Sequence, residues 1–171
     1  MTVIATLDEL LAHARELELE AVARYQELAD QMIAHNQPKL AALFQHMAQV
    51  EGLHVAKVRD LAADRILPPI APWDYRWPTL ESPESVPIGQ ERYRMTPRQA
   101  LELVLAGEER AHSFFASVAA ASPDPAARQT AAELAEEERQ HAELLREWLD
   151  RYPVATGVQA LDDLDEPVDQ G

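Results

Sequence analysis

The chain has 171 residues, a formal net charge of −15 at pH 7, a pI near 4.7 and no cysteine, and this length suffices for one domain with a full core. Its acidic balance argues against nucleic acid and anionic membranes as partners, and the lack of cysteine excludes disulfides, thiolate catalysis, iron–sulfur clusters and rubredoxin-type centres. Because neither a secretory signal nor an apolar run of roughly 18 residues is apparent, we expect a cytoplasmic protein that does not enter a membrane.

The first half of the chain predicts two helices. Thr6, with Glu9 three residues later, is a capping-box signature, and the apolar periodicity that follows predicts a helix to about Ala34. The sequence Asn-Gln-Pro at 36–38 predicts a break and a new start. A second helix is then expected over about 38–65.

A proline-rich segment of about 30 residues, 66–95, separates the second helix from the third. A loop of this length is unusual in a compact domain. It is explained if the second and third helices run parallel, because the connection must then travel the length of the bundle. Alternatively, the aromatic stretch Trp73-Asp74-Tyr75-Arg76-Trp77 also shapes a binding surface.

The second half predicts two more helices. Residues 96–99, Thr-Pro-Arg-Gln, provide a cap, a first-turn proline and a capping-box glutamine for a third helix that runs to about Ala121. Residues 122–125, Ser-Pro-Asp-Pro, predict the turn into a fourth helix, which should stop at Tyr152-Pro153.

The predicted elements add up to an all-α fold in one domain. We expect a four-helix bundle over residues 1–153, with the long crossover at 66–95 between helices two and three. Residues 154–171 are acidic and poor in large apolar side chains, which predicts a loose C-terminal tail.

Each half of the chain carries the same pattern of candidate metal ligands. A Glu-x-x-His motif occurs twice, and each copy follows a helix with a glutamate of its own. Since residues three apart share a helix face, each motif offers a carboxylate and an imidazole to one point. The full set is Glu18, Glu51, His54, Glu108, Glu138 and His141. These six side chains, if they converge inside one bundle, predict a site for two divalent transition metal ions.

Helical phase separates these glutamates from their neighbours. Glu108 shares its stripe with apolar side chains, whereas Glu109 shares its own with polar ones, although Glu109 and His112 repeat the motif. The same test rejects Glu20 and Glu136, and it excludes Glu137 less cleanly. Buried unpaired charges cost several kcal/mol each, and two divalent ions would balance four carboxylates. A metal-free bundle with solvated carboxylates is the alternative.

Other polar residues are weaker candidates for the metal site. Tyr25 lies about two turns from Glu18 on the same stripe, so it is a candidate to contact a ligand carboxylate, with plain core packing as the alternative. His112 is a candidate for the rim of the site. The remaining histidines are expected on polar faces; these are His13, His35 and His46.

The complete set resembles the di-iron carboxylate sites of ferritin-like proteins, over about residues 6–152. The residues similar to the first half of a bacterioferritin or rubrerythrin site are Glu18, Tyr25, Glu51 and His54. Those similar to the second half are Glu108, Glu138 and His141. The resemblance implies that Glu51 and Glu138 bridge two irons, that Glu18 and His54 complete one, and that Glu108 and His141 complete the other.

The chain also departs from these families. Rubrerythrins have a further glutamate where this sequence has Ala111, and a rubredoxin module that a chain without cysteine does not contain. The haem-binding methionine of bacterioferritin is replaced by Gly52. Residues 154–171 are a poor match to the short fifth helix of a storage cage. The chain is therefore most similar to a stand-alone rubrerythrin-like protein without haem.

The ligand types suit Fe, Mn or Zn, and the resemblance favours two Fe ions. It implies a non-haem di-iron oxidoreductase that reduces peroxide or dioxygen, oxidises ferrous iron, or does both, with an external electron donor that the sequence does not identify. It also implies a homodimer. Two alternatives stay open: an iron-binding storage subunit of the ferritin type, and a structural, metal-stapled bundle that serves as an interaction module.

Overall fold

The computed structural model describes residues 3–71, 74–75 and 95–154. Its regular structure within these ranges consists of four long helices: α1 Leu7–Ala34, α2 Pro38–Leu61, α3 Pro97–Ala121 and α4 Pro125–Leu149. The predicted all-α four-helix architecture is confirmed. None of the described helices combines the length and the apolar character that crossing a membrane would require.

Side-chain caps define where the helices begin. The Thr96 hydroxyl accepts from the Gln99 N–H, and the Gln99 side chain accepts from the Thr96 N–H, so the predicted capping box of α3 is complete. In α1 the hydroxyl of Thr6 accepts from the Glu9 N–H as predicted, but the Glu9 carboxylate reaches one residue further back, to the N–H of Ala5. Both arrangements satisfy backbone donors that a helix start leaves free.

The break between α1 and α2 is a left-handed turn at Asn36, whose φ is 56°. The Asn36 N–H donates to the Ile33 carbonyl and the Gln37 N–H to the Met32 carbonyl, which is the bonding pattern of a Schellman motif. Asparagine tolerates this backbone conformation better than most residues. The predicted break and restart at 36–38 is confirmed, with Pro38 as the first residue of α2.

Two helices end earlier than predicted. Helix α2 stops at Leu61 rather than near residue 65, because the chain turns there and brings Leu67 back onto the apolar cluster that Ala62 also contacts. Helix α4 stops at Leu149, and a turn carries the chain to Tyr152.

The core consists of two apolar clusters, one toward each end of the bundle. The first cluster joins the beginning of α1, the end of α2, the end of α3 and the beginning of α4. The second joins the end of α1, the beginnings of α2 and α3, and the end of α4. Helices α2 and α3 are therefore parallel, as the long crossover between them predicts.

Polar contacts at the two ends agree with this topology. At the first end the Asp124 carboxylate accepts from the Leu7 N–H at 2.8 Å and from the Ala126 N–H at 3.0 Å, so one side chain caps α4 and ties it to α1. At the other end the Arg98 guanidinium of α3 donates to the carbonyls of Leu149 and Tyr152.

Tyr75 of the crossover lies against a face of α1 that the sequence assigned to solvent. His13, expected on a polar face, is fully buried. Its ring lies edge-on to Tyr75 of the crossover and stacks against Phe114 of α3, and its Nδ1 lies 2.8 Å from the Glu9 carbonyl. The expectation was wrong because helical phase does not register a distant segment that folds back over the helix. His35 and His46 are exposed, as predicted.

Two predictions fall largely outside the described residues. Trp73 and Trp77 lie outside the described residues, so a binding surface formed by the crossover stays a prediction. The same holds for the loose tail, of which the structure describes only Val154.

Candidate metal centre

The six candidate ligands occupy the middle of the bundle, between the two apolar clusters. They are Glu18 of α1, Glu51 and His54 of α2, Glu108 of α3, and Glu138 and His141 of α4; we call them the Glu/His cluster. All four glutamates are at most 1% exposed. The imidazoles of the two histidines are 12% and 10% exposed, so they form the outer edge of the cluster.

The two histidines turn the same ring nitrogen toward the carboxylates. Nδ1 of His54 lies 3.2 Å from Glu51 and 3.7 Å from Glu18. Nδ1 of His141 lies 3.0 Å from Glu51, 3.4 Å from Glu138 and 3.5 Å from Glu108. The nitrogen and oxygen atoms of all six side chains therefore surround one small volume.

Glu51 is the carboxylate that links the two halves of the cluster. One of its oxygens faces His54 and the other faces His141. The rings of these histidines stack with centroids 5.0 Å apart and planes inclined by 8°. Glu51, His54, Glu138 and His141 can each offer a ligand atom within 4.8 Å of the others.

Several buried atoms of the cluster make no hydrogen bond to the part of the chain that the structure describes. They are both carboxylate oxygens of Glu51, one oxygen each of Glu108 and Glu138, and Nδ1 of both His54 and His141. Buried polar atoms are normally satisfied, and those that are not call for a ligand or an ion. Carboxylate oxygens and imidazole nitrogens are ligands for Fe, Mn and Zn. The donor set fits a divalent metal pair.

The pKa shifts of Glu138 and His141 also reflect the excess of buried negative charge in the cluster. Burial, followed by the charges of Glu18 and Glu108, raises the pKa of Glu138 well above its ordinary value. Burial alone would lower the pKa of His141, but the surrounding carboxylates outweigh it and raise that pKa. Both raised pKa values favour protonation of Glu138 and His141 in the metal-free protein, and metal ions would compete with those protons.

Burial also raises the pKa of Glu51, but His141 and then His54 act in the opposite direction and outweigh it, so the net shift is downward. The pKa values of two buried carboxylates of one cluster, Glu51 and Glu138, are therefore shifted in opposite directions. The reason is position: Glu51 lies between the two imidazoles, whereas Glu138 lies near His141 alone, and burial and the charges of Glu18 and Glu108 outweigh that contact.

Two of the glutamates rejected by helical phase lie outside the cluster. Glu109 is exposed and pairs with Arg146 at 2.8 Å. Glu136 is also exposed and pairs with Arg139 at 2.7 Å. His112 does not join the cluster through its Nδ1, which lies 2.7 Å from the carbonyl of Ala135 and so connects α3 to α4.

Tyr25 makes the contact that the sequence suggested as one alternative. It is 1% exposed, and its hydroxyl donates a hydrogen bond to one oxygen of Glu108. Its ring also packs against Phe44 of the second cluster. Tyr25 thus contributes both to core packing and to the orientation of a candidate ligand.

Replacing Tyr25 by phenylalanine removes the donor and leaves the ring. We expect Tyr25→Phe to destabilise the metal-free protein by about 1–3 kcal/mol, because a buried acceptor on Glu108 loses its partner. Urea denaturation of metal-free wild type and variant measures the difference. Tyr152→Phe, at a half-buried surface position, is the control, and an equal effect in both variants would contradict the assignment.

The sequence did not single out two further residues at this site. The carboxylate of Glu137 lies 3.6 Å from Nε2 of His54 and 2.7 Å from Nζ of Lys57. Helical phase gave Glu137 an intermediate position, which was the only signal available. Lys57 follows His54 by one helical turn, but its pairing with α4 depends on how α2 and α4 are placed.

One wall of the site is apolar. Ala111 is fully buried in the first cluster, one turn after Glu108. An alanine there supplies no ligand, so this part of α3 offers Glu108 alone.

Comparison with known proteins gives a consistent result. The family model described as Rubrerythrin matches residues 9–149. The crystal structure of an uncharacterised conserved protein from Magnetospirillum magnetotacticum MS-1 is similar, with a TM-score of 0.76 and 38% sequence identity, covering 88% of this chain and 98% of that one. No match was found among curated proteins. The ferritin-like four-helix fold expected from the sequence is thereby confirmed.

Proposed function

We propose that this chain, which belongs to the rubrerythrin family, is a non-haem di-iron oxidoreductase that reduces hydrogen peroxide or dioxygen and can oxidise ferrous iron. The observation that carries the proposal is the Glu/His cluster, with four buried carboxylates and two imidazoles around one volume. Unpaired, four carboxylates at this depth would cost several kcal/mol each. Two divalent ions would balance them.

We assign the ligands by proximity. Glu51 would hold both ions, because its two oxygens face different histidines. Glu18 lies on the side of His54, and Glu108 lies on the side of His141. Glu138 is the second proposed bridge, in the position of the second half that corresponds to Glu51.

Two contributions can be distinguished: the redox chemistry that bound metal ions would supply, and the positioning that the side chains of the protein provide. When bound, a pair of ferrous ions would supply two electrons to peroxide or dioxygen, and an external donor would have to restore them. The chain holds the ligand carboxylates in place, for example through the hydrogen bond from Tyr25 to Glu108. The apolar clusters on both sides of the site restrict access of water. The edge formed by His54 and His141 is the partly exposed side, and we propose it as the side of substrate entry.

Metal analysis and a stoichiometric oxidation test the proposal. Protein purified without chelators is expected to contain two iron ions per chain. If it contains Mn or Zn instead, the assignment of the metal as iron is wrong. When the di-ferrous protein is mixed anaerobically with hydrogen peroxide, we expect one peroxide to be consumed for every two ferrous ions, with two protons taken up and two waters formed. Stopped-flow absorption of the ferric product measures this.

The same preparation distinguishes the alternatives. A storage subunit would continue to accumulate ferric iron well beyond two ions per chain and would elute as a large cage on size exclusion. A dimer that turns over again after chemical reduction favours the enzyme. A site that is only structural would leave peroxide unconsumed, and that result would refute the proposed activity.

A further inference from the structure

We propose that Glu137 is a positioning residue for His54 and that Lys57 in turn holds Glu137; this inference rests on the proposed metal centre. One oxygen of Glu137 lies 3.6 Å from Nε2 of His54, on the opposite edge of the ring from the nitrogen that faces the Glu/His cluster. The other oxygen lies 2.7 Å from Nζ of Lys57. The three side chains form a connected line across the junction of α2 and α4.

The place of Glu137 on its helix explains this contact. Successive residues of an α-helix are separated by about 100° around its axis. Glu138 therefore points into the Glu/His cluster, while Glu137 points toward α2 and is 29% exposed. The Glu137 oxygen nearest to His54 is buried and makes no hydrogen bond within the described residues. It is thus available to accept a hydrogen bond from the Nε2–H group.

A histidine that binds metal through one ring nitrogen carries a proton on the other. A carboxylate that accepts a hydrogen bond from this N–H fixes the tautomer and the ring orientation, and it makes the imidazole a stronger ligand. With its proton on Nε2, His54 presents the lone pair of Nδ1 to the space between Glu18 and Glu51. The ammonium of Lys57 keeps the carboxylate of Glu137 in the orientation that this requires.

The internal repeat of the sequence breaks at this place. Glu137 precedes Glu138, and the corresponding residue before Glu51 is Val50. Lys57 follows His54 by three residues, and the residue three after His141 is Leu144. Neither valine nor leucine can act as a hydrogen-bonding partner. Glu137 and Lys57 therefore act on one half of the centre, and the two metal positions should differ in affinity.

A Co²⁺ titration of the metal-depleted full-length protein tests this asymmetry. We expect wild type to bind two Co²⁺ per chain. Glu137→Leu should weaken one of the two by about 10- to 100-fold and leave the other unchanged. Glu137→Gln, which keeps an acceptor oxygen, should recover part of the loss. Lys57→Met should weaken the same ion by less than Glu137→Leu does.

Nitrogen NMR of the histidine rings in the Zn²⁺-loaded protein provides a readout that a merely structural role would not move. In wild type the His54 ring should show a single tautomer with its proton on Nε2, and in Glu137→Leu this signal should shift or broaden. Glu136→Leu is the matched control, because it removes the same charge from the adjacent residue, which faces solvent and pairs with Arg139.

The outcomes separate the two proposals. If wild type does not bind two Co²⁺, the metal centre itself is wrong and the inference falls with it. If wild type binds two and Glu137→Leu binds both as tightly, with an unchanged His54 signal, the positioning role alone is refuted. An equal loss in Glu136→Leu would also refute it, since net charge would then be the cause. Should Glu137→Leu not fold, unchanged binding in Lys57→Met and Glu137→Gln would overturn it.

Discussion

The double variant Glu51→Ala/Glu138→Ala is expected to retain fewer than one tightly bound metal ion per chain, against two in wild type. These residues are the two proposed bridges, and Glu51 has one oxygen near each histidine of the cluster. Their removal affects both metal positions at once. The loss of metal affinity should exceed the roughly 10- to 100-fold loss that follows from replacing residues that hydrogen-bond to the ligands.

The control for this experiment is Glu109→Ala/Glu136→Ala. These glutamates are exposed, and each pairs with an arginine on the surface, so the variant has the same change in net charge without a change in the cluster. Elemental analysis after dialysis gives the stoichiometry, and circular dichroism confirms that both variants fold. Retention of two ions by Glu51→Ala/Glu138→Ala would show that the metal centre has been assigned to the wrong residues.

Removal of metal by a chelator is expected to lower the melting temperature of wild type substantially. A ligand that binds only the folded state at a free concentration 1,000 times its Kd stabilises that state by about 4.1 kcal/mol. For a chain of this size this corresponds to roughly 8–16 °C. The physical reason is that the four buried carboxylates lose the cations that balance them. Calorimetry with and without chelator, followed by return of Fe²⁺ under anaerobic conditions, measures the shift.

The variant Glu138→Gln provides a second test of how the buried carboxylates affect the melting temperature. The pKa of Glu138 is raised in the folded protein by burial and by Glu18 and Glu108. The stability that this carboxyl contributes is therefore fully present below pH 4.5 and is lost as the pH rises from there through its raised folded-state pKa. The metal-free variant, which lacks this charge, should therefore melt higher than metal-free wild type at neutral pH. It should also respond less to chelator. A metal-free variant that melts lower than wild type at pH 7 would contradict this account.

The candidate ligands could be recognised in the sequence because their geometry is local. Three-residue spacing places Glu51 beside His54, and Glu138 beside His141, on any α-helix. Helical phase likewise separated the buried Glu108 from the exposed Glu109. The helix starts were predictable for the same reason, since caps involve residues only two or three positions apart.

Contacts between distant parts of the chain followed from the tertiary structure alone. The burial of His13 depends on Tyr75, which reaches α1 from the crossover. Glu137 and Lys57 meet because α2 and α4 are brought together at the centre of the bundle. Helical periodicity describes the faces of one helix, and it carries no information about which side chain of another helix lies opposite.

The sequence by itself determined the four helices, the six candidate ligands and the parallel course of α2 and α3, since spacing, capping and loop length are properties of the chain. The tertiary structure decided that Glu51 lies between both histidines and that Glu137 lies beside Nε2 of His54. The positions of Glu51 and Glu137 relative to the histidines depend on the rotation and separation of packed helices, which are set by the fit of side chains in three dimensions.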